Sequence, residues 1–263
     1  MIGAGNVATH LGKALLAAGH DMLQVYSRTM ESASTLATAV GASPTTDISD
    51  VRDDADVYIV SVKDSVMAEL LPRLCRGKEN SVFLHTAGSM PMDVFRGMAL
   101  HYGVLYPMQT FSKTREVDFS DIPCFIEASD EYARKVLDEL VHSISRRVYQ
   151  LSSEDRKYLH LSAVFACNFV NHCYAASAEI LNKHNIPFDI MLPLIDETAR
   201  KVHQLSPVEA QTGPAVRYDE NVIRKQVALL NGNPPLRDIY ERMSMDIHRM
   251  ELHHKQKDKN EKI

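Results

Sequence analysis

The sequence has few cysteines and no long run of apolar residues. Cys75, Cys124, Cys167 and Cys173 are scattered without a C-x-x-C pair, which is typical of free thiols in the reducing cytoplasm. The apolar run 57–62 is far shorter than the ~20 residues that a membrane-spanning helix needs. Because the chain also opens without a signal segment, we predict a cytoplasmic protein with no membrane partner.

Metal-binding patterns are missing as well. Of the 12 histidines, His248, His253 and His254 lie near the end of the chain, and no H-E-x-x-H pattern occurs. We therefore predict no metal site. A Cys–His nucleophile built on Cys167 or Cys173 stays open, although cysteine in an apolar helix is usually inert.

The charge balance argues against nucleic acid as a partner. The net charge is −5 and no basic run occurs, so neither nucleic acid nor an anionic membrane surface is an expected ligand. The chain is 263 residues long and 45% of these residues are apolar, which is enough for two modest hydrophobic cores.

The first part of the chain alternates strand-like and helical segments. A helical stretch at Asn6–Ala18 places Val7, Leu11 and Leu15 on one face. The strand-like runs are 22–26, 57–62, 81–85, 103–106, 124–127 and 147–151. This alternation predicts an α/β fold of Rossmann type, with a mostly parallel sheet and helices on both faces.

The pattern changes at Ser152, which forms a capping-box pattern with Asp155. Beyond it we predict an all-α C-terminal domain. Its helices are expected at about 153–184, 188–204, 219–231 and 235–252, followed by a solvated tail at 253–263. The predicted domains are therefore 1–150 and 151–263.

A dinucleotide-binding motif opens the chain. Gly3-Ala4-Gly5-Asn6-Val7-Ala8 reads G-x-G-x-x-A and precedes an amphipathic helix. In such motifs the glycines permit a tight turn and a close approach of the backbone to a pyrophosphate, which the helix N-terminus faces. We expect the segment from Gly3 to Val7 to bind a dinucleotide.

The residues after the strand-like run 22–26 discriminate between the two dinucleotides. An NAD enzyme usually has an acidic residue here for the ribose hydroxyls, but this chain has Ser27-Arg28-Thr29. A guanidinium beside two hydroxyls suits a 2′-phosphate, so we predict NADP(H). A surface arginine at a helix start is the alternative.

The strand at 57–62 leads to the other half of the expected cofactor site. Ligands of such sheets bind at the carboxyl ends of the strands, so Ser61, Val62 and Lys63 should line the nicotinamide side. Lys63 could instead be a solvated loop residue. Asp64 is expected to cap the next helix.

Seven segments resemble the NADP oxidoreductases that join a Rossmann-like domain to a helical C-terminal domain of unknown function. They are GAGNVATHL (3–11), VYSRT (25–29), VSVKD (60–64), HTAGS (85–89), YPMQTFS (106–112), LHLSAVFACNFVNHCYA (159–175) and TGPAVRYD (212–219). This group is distantly related to pyrroline-5-carboxylate reductase, 3-hydroxyisobutyrate dehydrogenase and 6-phosphogluconate dehydrogenase. The resemblance implies an NADPH-dependent reductase or dehydrogenase of a small-molecule substrate, with a 6-phosphogluconate dehydrogenase-like C-terminal domain that forms a homodimer.

One departure from this family concerns the first strand. Only Met1-Ile2 stand ahead of the glycine loop, where four or five apolar residues are usual. That strand lies in the middle of a Rossmann sheet, and unpaired buried backbone groups cost about 1–3 kcal/mol each. We therefore expect the native chain to begin upstream of Met1.

The helix after Ser152 carries the candidate catalytic residues. At about 100° per residue, one polar sector contains Lys157, His160, Cys167, Asn168 and Asn171. We predict that His160 is the general acid, that Asn168 orients the substrate and that Lys157 is the rival acid. The alternative is that the sector packs against other helices or a dimer partner.

Four further residues are candidates for substrate binding. Gly88 and Ser89 resemble the small-residue substrate loop of the related dehydrogenases, although Ser89 could cap a helix at 91–95. Gln109 is a candidate for the wall of the site. Arg217 could bind a substrate carboxylate or pair with Asp219, which we expect to cap a helix.

The leading prediction is hydride transfer between NADP(H) and a small carbonyl or imine acid. A 2-keto acid of the ketopantoate type is suggested by resemblance alone. A non-catalytic NADP(H) sensor or scaffold is the first alternative, and a deazaflavin-linked NADP reductase is the second. Turnover of NADPH on a panel of acceptors would discriminate between them.

Overall fold

The computed structural model describes residues 1–260, apart from the side chain of Asp258. Its internal contacts divide the chain into two compact units, Met1–Phe169 and a unit that begins at Val170. The boundary predicted from sequence, after residue 150, coincides with the end of the last strand. That domain assignment stays a prediction.

The first unit contains seven strands. They are β1 (Gln24–Tyr26), β2 (Ser43–Thr45), β3 (Val57–Val60), β4 (Val82–His85), β5 (His101–Pro107), β6 (Cys124–Ala128) and β7 (Val148–Gln150). All neighbouring pairs in the order β3-β4-β5-β6-β7 are parallel except β5 and β6, and β1 pairs with β2 in parallel. The six strands predicted from the sequence are present with bounds shifted by up to two residues, and β2 was missed.

Ile2 joins the two groups of strands. Its backbone forms parallel bridges to Tyr26 of β1 and to Val60 of β3. Its amide donates to the carbonyl of Ile59, and its carbonyl accepts from the amide of Ser61. Ile2 therefore stands in the central position of the sheet, and its side chain is buried.

Four helices cover the strands. They are α1 (Asn6–Ala17), α2 (Met30–Val40), α3 (Asp64–Leu74) and α4 (Glu131–His142). Apolar side chains of α1 and α4 share one buried cluster with β4, β5 and β6, whereas those of α3 pack into a second cluster with β3 and β4. Because these two clusters lie against alternate residues of the strands, helices cover both faces and the predicted α/β fold class is confirmed.

The long helix after Ser152 is not uniform. It consists of α5 (Ser153–Ala163), a π-helical segment (Val164–Phe169) and α6 (Val170–Asn182). The Ser152 hydroxyl caps its start by accepting from the amide of Asp155 at 3.1 Å. The sequence predicted one regular helix, and this is wrong within the π-helical segment. Because π-helical bonds join residues i and i+5, later side chains rotate away from the sector that 100° per residue predicts.

The second unit contains helices throughout. After α6 come α7 (Leu192–Lys201), α8 (Pro214–Arg217), α9 (Glu220–Leu229) and α10 (Pro234–Asn260). Asp219 caps α9 as predicted, since its carboxylate accepts from the amide of Val222. α10 continues through residue 260, so the prediction of a tail from 253 onward is wrong as far as the described residues reach.

Large apolar side chains of the second unit remain exposed. They include Ile180, Ile190, Leu192, Leu194, Leu229, Met243 and Met245. Within the described residues of this unit, only Ala215 and Ser244 are classed as buried. The unit thus covers little of its own apolar surface. No helix among residues 1–260 is long and apolar enough to cross a membrane.

Candidate cofactor groove and proton-donor site

A groove of about 240 Å³ lies at the carboxyl ends of β1 and β3. Its lining is Gly3, Ala4, Gly5, Tyr26, Ser27, Arg28, Ser32, Ser61, Val62, Lys63, Val66 and Leu70. Eight of these residues are among those predicted to bind the cofactor. The structure therefore brings together three segments that are far apart in the sequence and that a dinucleotide would need to contact.

Gly3 is the residue that closes the base of this groove. It has φ +112°, and a Cβ atom there would lie 2.2 Å from the carbonyl oxygen of Ser61. Only glycine fits this position, because any side chain would overlap the backbone after β3. The glycine loop and the Ser61–Lys63 segment are consequently in direct contact, and α1 begins immediately after Gly5 with its N-terminus at the groove.

The Arg28 side chain lies on the rim of the groove. It is exposed, and Ser27 and Ser32 line the groove beside it. Thr29 caps α2 instead of lining the groove, since its hydroxyl accepts from the amide of Ser32. Ser32 was missed by the sequence analysis, although its place in the first turn of α2 was a usable signal. An arginine, two serine hydroxyls and a helix start form a donor set suited to a phosphate group.

Asn6 and Val7 lie outside the lining of the groove. The Asn6 side-chain amide donates to the carbonyl of Phe111 at 2.9 Å, so it anchors the loop after β5. The His10 ring lies 2.9 Å from the carbonyl of Ser112 and stacks on Phe111. Asn6 thus has a structural partner, and its role in cofactor binding stays a prediction.

The loop after β4 adjoins the part of the groove that Ser61 lines. The Thr86 hydroxyl donates to the Ser61 hydroxyl at 3.0 Å. The Ser89 hydroxyl donates to the carboxylate of Asp64, and the short 3-10 helix Met92–Phe95 begins after Pro91. The capping role considered for Ser89 is therefore wrong, as is the side-chain cap expected from Asp64, because α3 begins at Asp64 and follows Lys63.

Gly88 is buried against the imidazole of His160. A Cβ atom at this position would lie 2.5 Å from His160 Nδ1 and 2.6 Å from Cγ. The missing side chain of Gly88 thus provides the space in which the imidazole lies. The sequence analysis placed both residues near the substrate, but their direct contact was not foreseen.

Tyr106 is the other partner of His160. Its hydroxyl oxygen lies 3.0 Å from His160 Nδ1, and the two rings meet edge to face with centroids 5.9 Å apart. Burial raises the pKa of Tyr106, so the phenol stays protonated at neutral pH. Tyr106 was not predicted from the sequence, although it is the last residue of the predicted strand 103–106 and lies three residues before the candidate Gln109. The bond at Nδ1 leaves Nε2 as the ring nitrogen available to a substrate.

The other predicted catalytic residues are more exposed. Lys157 pairs with Glu154 three residues earlier, and this hydrogen bond raises the pKa of the lysine and makes it a weaker acid. Asn168 lies in the π-helical segment and is exposed. Gln109 is exposed and its side chain accepts from the amide of Thr110. The structure places His160 against the loop after β4. Within residues 1–260 it shows no contact of Lys157, Asn168 or Gln109 with that loop.

Arg217 ends α8 in the second unit and is exposed. Tyr218 follows it with φ +52°, and its ring stacks on His248 with centroids 4.7 Å apart. A positive φ is unusual for tyrosine and is held here by the packing of α8 on α10. The Asp219 carboxylate accepts from the amide of Val222, and within residues 1–260 the ion pair considered for Arg217 and Asp219 is not seen.

A buried ion pair links α5 to the sheet. Arg156 Nη1 lies 2.8 Å from Glu127 Oε2, and the arginine side chain is 1% exposed. His85, at the end of β4, is also buried, and burial lowers its pKa to about 4, with the nearby Arg156 charge adding to the effect. Arg156 was missed because a charged residue in an amphipathic helix is normally expected to face solvent. Among the described residues, no group of three or more His, Cys, Asp or Glu side chains could hold a metal.

Residues 1–86 match the family described as "NADP oxidoreductase coenzyme F420-dependent", and residues 122–247 match the "Domain of unknown function (DUF2520)". No curated protein matches the chain.

Solved structures give similar folds over nearly the full length. An imine reductase from Myxococcus stipitatus in complex with NADP+ is 17% identical, with a TM-score of 0.65 over 94% of this chain and 92% of its own. A pyrroline-5-carboxylate reductase from Coxiella burnetii is 15% identical, with a TM-score of 0.55 over 96% of each chain. A "putative NADP oxidoreductase" from Bacteroides fragilis is 57% identical, with a TM-score of 0.92 over 94% of this chain and 96% of its own. At that identity and coverage, the chain belongs to the same family of NADP oxidoreductases as the Bacteroides protein, and its cofactor is NADP(H).

Proposed function

We propose that the protein uses NADPH to reduce a small carbonyl or imine compound, with His160 as the proton donor. The observation that carries this proposal is the contact of His160 with Gly88, on the loop after β4, and with Tyr106 of β5. Imidazole titrates near neutral pH, which suits a group that must hold a proton and release it within one catalytic cycle.

The chain's own groups account for the proton. When bound, NADPH supplies a hydride to the carbon of the double bond. In its protonated form, His160 would donate the Nε2 proton to the oxygen or nitrogen that receives the bonding electrons, and so become neutral. Throughout this step the Tyr106 hydroxyl oxygen can accept a hydrogen bond from the N–H group at Nδ1, which lies 3.0 Å away, and this bond fixes the orientation of the imidazole ring.

The proposed substrate is a small carbonyl or imine compound that carries a carboxylate. Small keto acids, including the ketopantoate type, and imine acids suit an exposed arginine such as Arg217, which can bind a carboxylate through two hydrogen bonds. Asn168 and Gln109 are proposed to orient the substrate. Imine reduction gains support from the fold shared with an imine reductase and a pyrroline-5-carboxylate reductase.

A deazaflavin-linked reaction is the second candidate. The family description over residues 1–86 names coenzyme F420, but this segment covers the glycine loop and β1–β4 and not His160. A deazaflavin would accept the hydride at a ring carbon and one proton at a ring nitrogen, and water can supply that proton, so His160 would not be needed for turnover.

The test is NADPH oxidation on keto acids, imines and a deazaflavin, with wild type, His160→Ala and Lys157→Ala. We expect His160→Ala to lower kcat on a carbonyl or imine by about 10²–10⁴-fold and to leave the Kd of NADPH within twofold. Lys157→Ala should change kcat by less than threefold. Full turnover by His160→Ala would contradict the proposal, and turnover on the deazaflavin alone would favour the second candidate.

We further propose that the protein is a cytoplasmic homodimer built through its helical unit. The exposed apolar side chains of that unit support a second copy as the partner, because monomeric proteins rarely leave large contiguous apolar patches open to water. Four cysteines without a disulfide support a reducing compartment. Light scattering during gel filtration should give twice the chain mass of 29.5 kDa, and a single chain mass at micromolar concentration would contradict the proposal.

A further inference from the structure

The loop that carries Gly88 contacts α5 at His160 and also one helical turn earlier, at Arg156. Arg156 and His160 are four residues apart and therefore lie on the same side of the helix. His160 contacts the loop at Gly88, and Arg156 contacts it at Met90, where Nη2 donates to the carbonyl oxygen at 2.6 Å. The loop thus touches α5 through two adjacent turns.

The guanidinium of Arg156 takes part in a connected set of hydrogen bonds through its two Nη atoms. Its Nη1 pairs with Glu127 Oε2 at 2.8 Å, and Nη2 also donates to Ser153 Oγ at 3.1 Å. The Ser153 hydroxyl donates to Glu127 Oε2 at 2.6 Å and accepts from the amide of Met92 at 2.8 Å. One guanidinium and one hydroxyl therefore join the strand β6, the start of α5 and the loop backbone on both sides of Pro91.

Stability alone does not account for this arrangement. Removing two charges from water carries a large desolvation cost, and apolar side chains of similar volume often replace a buried ion pair without loss of stability. What an apolar pair cannot provide is a set of fixed donor directions. The guanidinium offers several N–H groups in one plane, and here they bind a carboxylate on a strand and a backbone carbonyl in the loop.

We propose that Arg156 is a positioning residue, which holds the loop from Thr86 to Met90 against α5 and so keeps Gly88 and the His160 imidazole in contact. Without the hydrogen bond from Arg156 to Met90 the loop can move away from the helix. The His160 imidazole then loses its contact with Gly88, which sets the orientation of the ring toward Tyr106. The inference rests on the proposed function, in which His160 donates the proton. Arg156 itself does not contact the substrate in this account.

The test is the double variant Arg156→Met/Glu127→Gln, which removes both charges and leaves neither one buried alone. Arg156→Lys keeps the charge but not the planar donor set, and it serves as the second variant if the double one does not fold. The matched control is Arg146→Met/Asp121→Asn, which removes an exposed ion pair of the same unit with a 2.7 Å separation. For each variant we would measure melting temperature, NADPH Kd, kcat and the ¹⁵N spectrum of the histidine rings, with the His160 signals assigned by their loss in His160→Ala.

We expect the double variant to fold and to bind NADPH within twofold of wild type. Its kcat should fall by about 10- to 100-fold, because a misplacement of about 1 Å can cost that much. The His160 ring signals should move toward those of an imidazole that exchanges freely between tautomers, Arg156→Lys should lie between, and the control should match wild type. Unchanged His160 signals in both the double variant and Arg156→Lys would overturn the inference, whatever happens to kcat. If His160→Ala keeps full turnover the proposed function fails, but the ring signals still decide the role of Arg156.

Discussion

Replacing Gly88 by alanine would put a methyl group into the space that the His160 imidazole occupies. The new Cβ atom would lie 2.5 Å from Nδ1, whereas ordinary van der Waals contact begins near 3.4 Å. The ring must therefore move by about 0.9 Å, or the loop must move by the same amount. A displaced ring would leave the geometry in which Nδ1 lies 3.0 Å from the Tyr106 hydroxyl oxygen.

We expect Gly88→Ala to lower kcat by about 10²-fold, the effect of a 1 Å misplacement of a reacting group. The free energy of unfolding should fall by about 1–3 kcal/mol, as is usual for an overpacked site. Gly232→Ala is the matched control, because a Cβ atom there meets nothing within 4 Å. NADPH binding by fluorescence titration should be unchanged in both variants.

A double variant separates this explanation from a general disturbance of the loop. In a His160→Ala background the two closest ring atoms are gone and only the Cβ of residue 160, at 3.0 Å, remains near the new methyl group. Adding Gly88→Ala should then lower kcat by less than threefold more. A Gly88→Ala enzyme that keeps kcat within threefold of wild type would refute the reasoning. So would a full 10²-fold further loss in the His160→Ala background.

Three further predictions follow from the site and its surroundings. Arg28→Ala should weaken NADPH binding by about 10- to 100-fold, since charge-assisted hydrogen bonds contribute about 1.5–3 kcal/mol each. Equal losses of affinity for NADPH and NADH in a direct titration would contradict a contact between Arg28 and the 2′-phosphate. The pKa of His85 is about 4 in the folded state against 6.5 in the unfolded state, so stability that is present above pH 6.5 should be lost as the pH falls toward 4, by at most about 3 kcal/mol. Denaturant titrations of His85→Gln should show a flatter dependence of the free energy of unfolding on pH than wild type, and parallel profiles would contradict the burial of a neutral ring. Arg217→Lys should raise the KM for an acidic substrate by about tenfold and leave the KM for a neutral carbonyl compound unchanged, and equal changes for both would exclude a carboxylate contact.

The sequence predicted the cofactor groove better than the proton-donor site. The glycine motif and the residues after β1 and β3 follow a known order along the chain, and the carboxyl ends of parallel strands meet at one edge. Eight predicted residues consequently line one groove. Ser32 was not predicted to line the groove because its place there depends on the residue at which α2 begins, and the ends of helices and strands are difficult to predict from sequence.

The proton-donor site depends on contacts between distant segments. Gly88 and His160 are 72 residues apart, and nothing in a helical periodicity indicates which loop a histidine meets. The π-helical segment could not be foreseen either, because the rotation it introduces has no signature in the apolar pattern. Arg156 was overlooked since its burial depends on Glu127, a strand residue that the sequence presents as ordinary.

Ile2 has a consequence for how the protein opens locally. Within the sheet, this single residue carries the bridges that connect β1 and β2 to the other five strands. Backbone amides in β1 and β2 should therefore exchange with solvent deuterium through a partial opening that leaves β4 and β5 protected. The half of the cofactor groove that holds Arg28 would belong to this less protected cooperative unit, and bound NADPH would slow its exchange by stabilising the closed form.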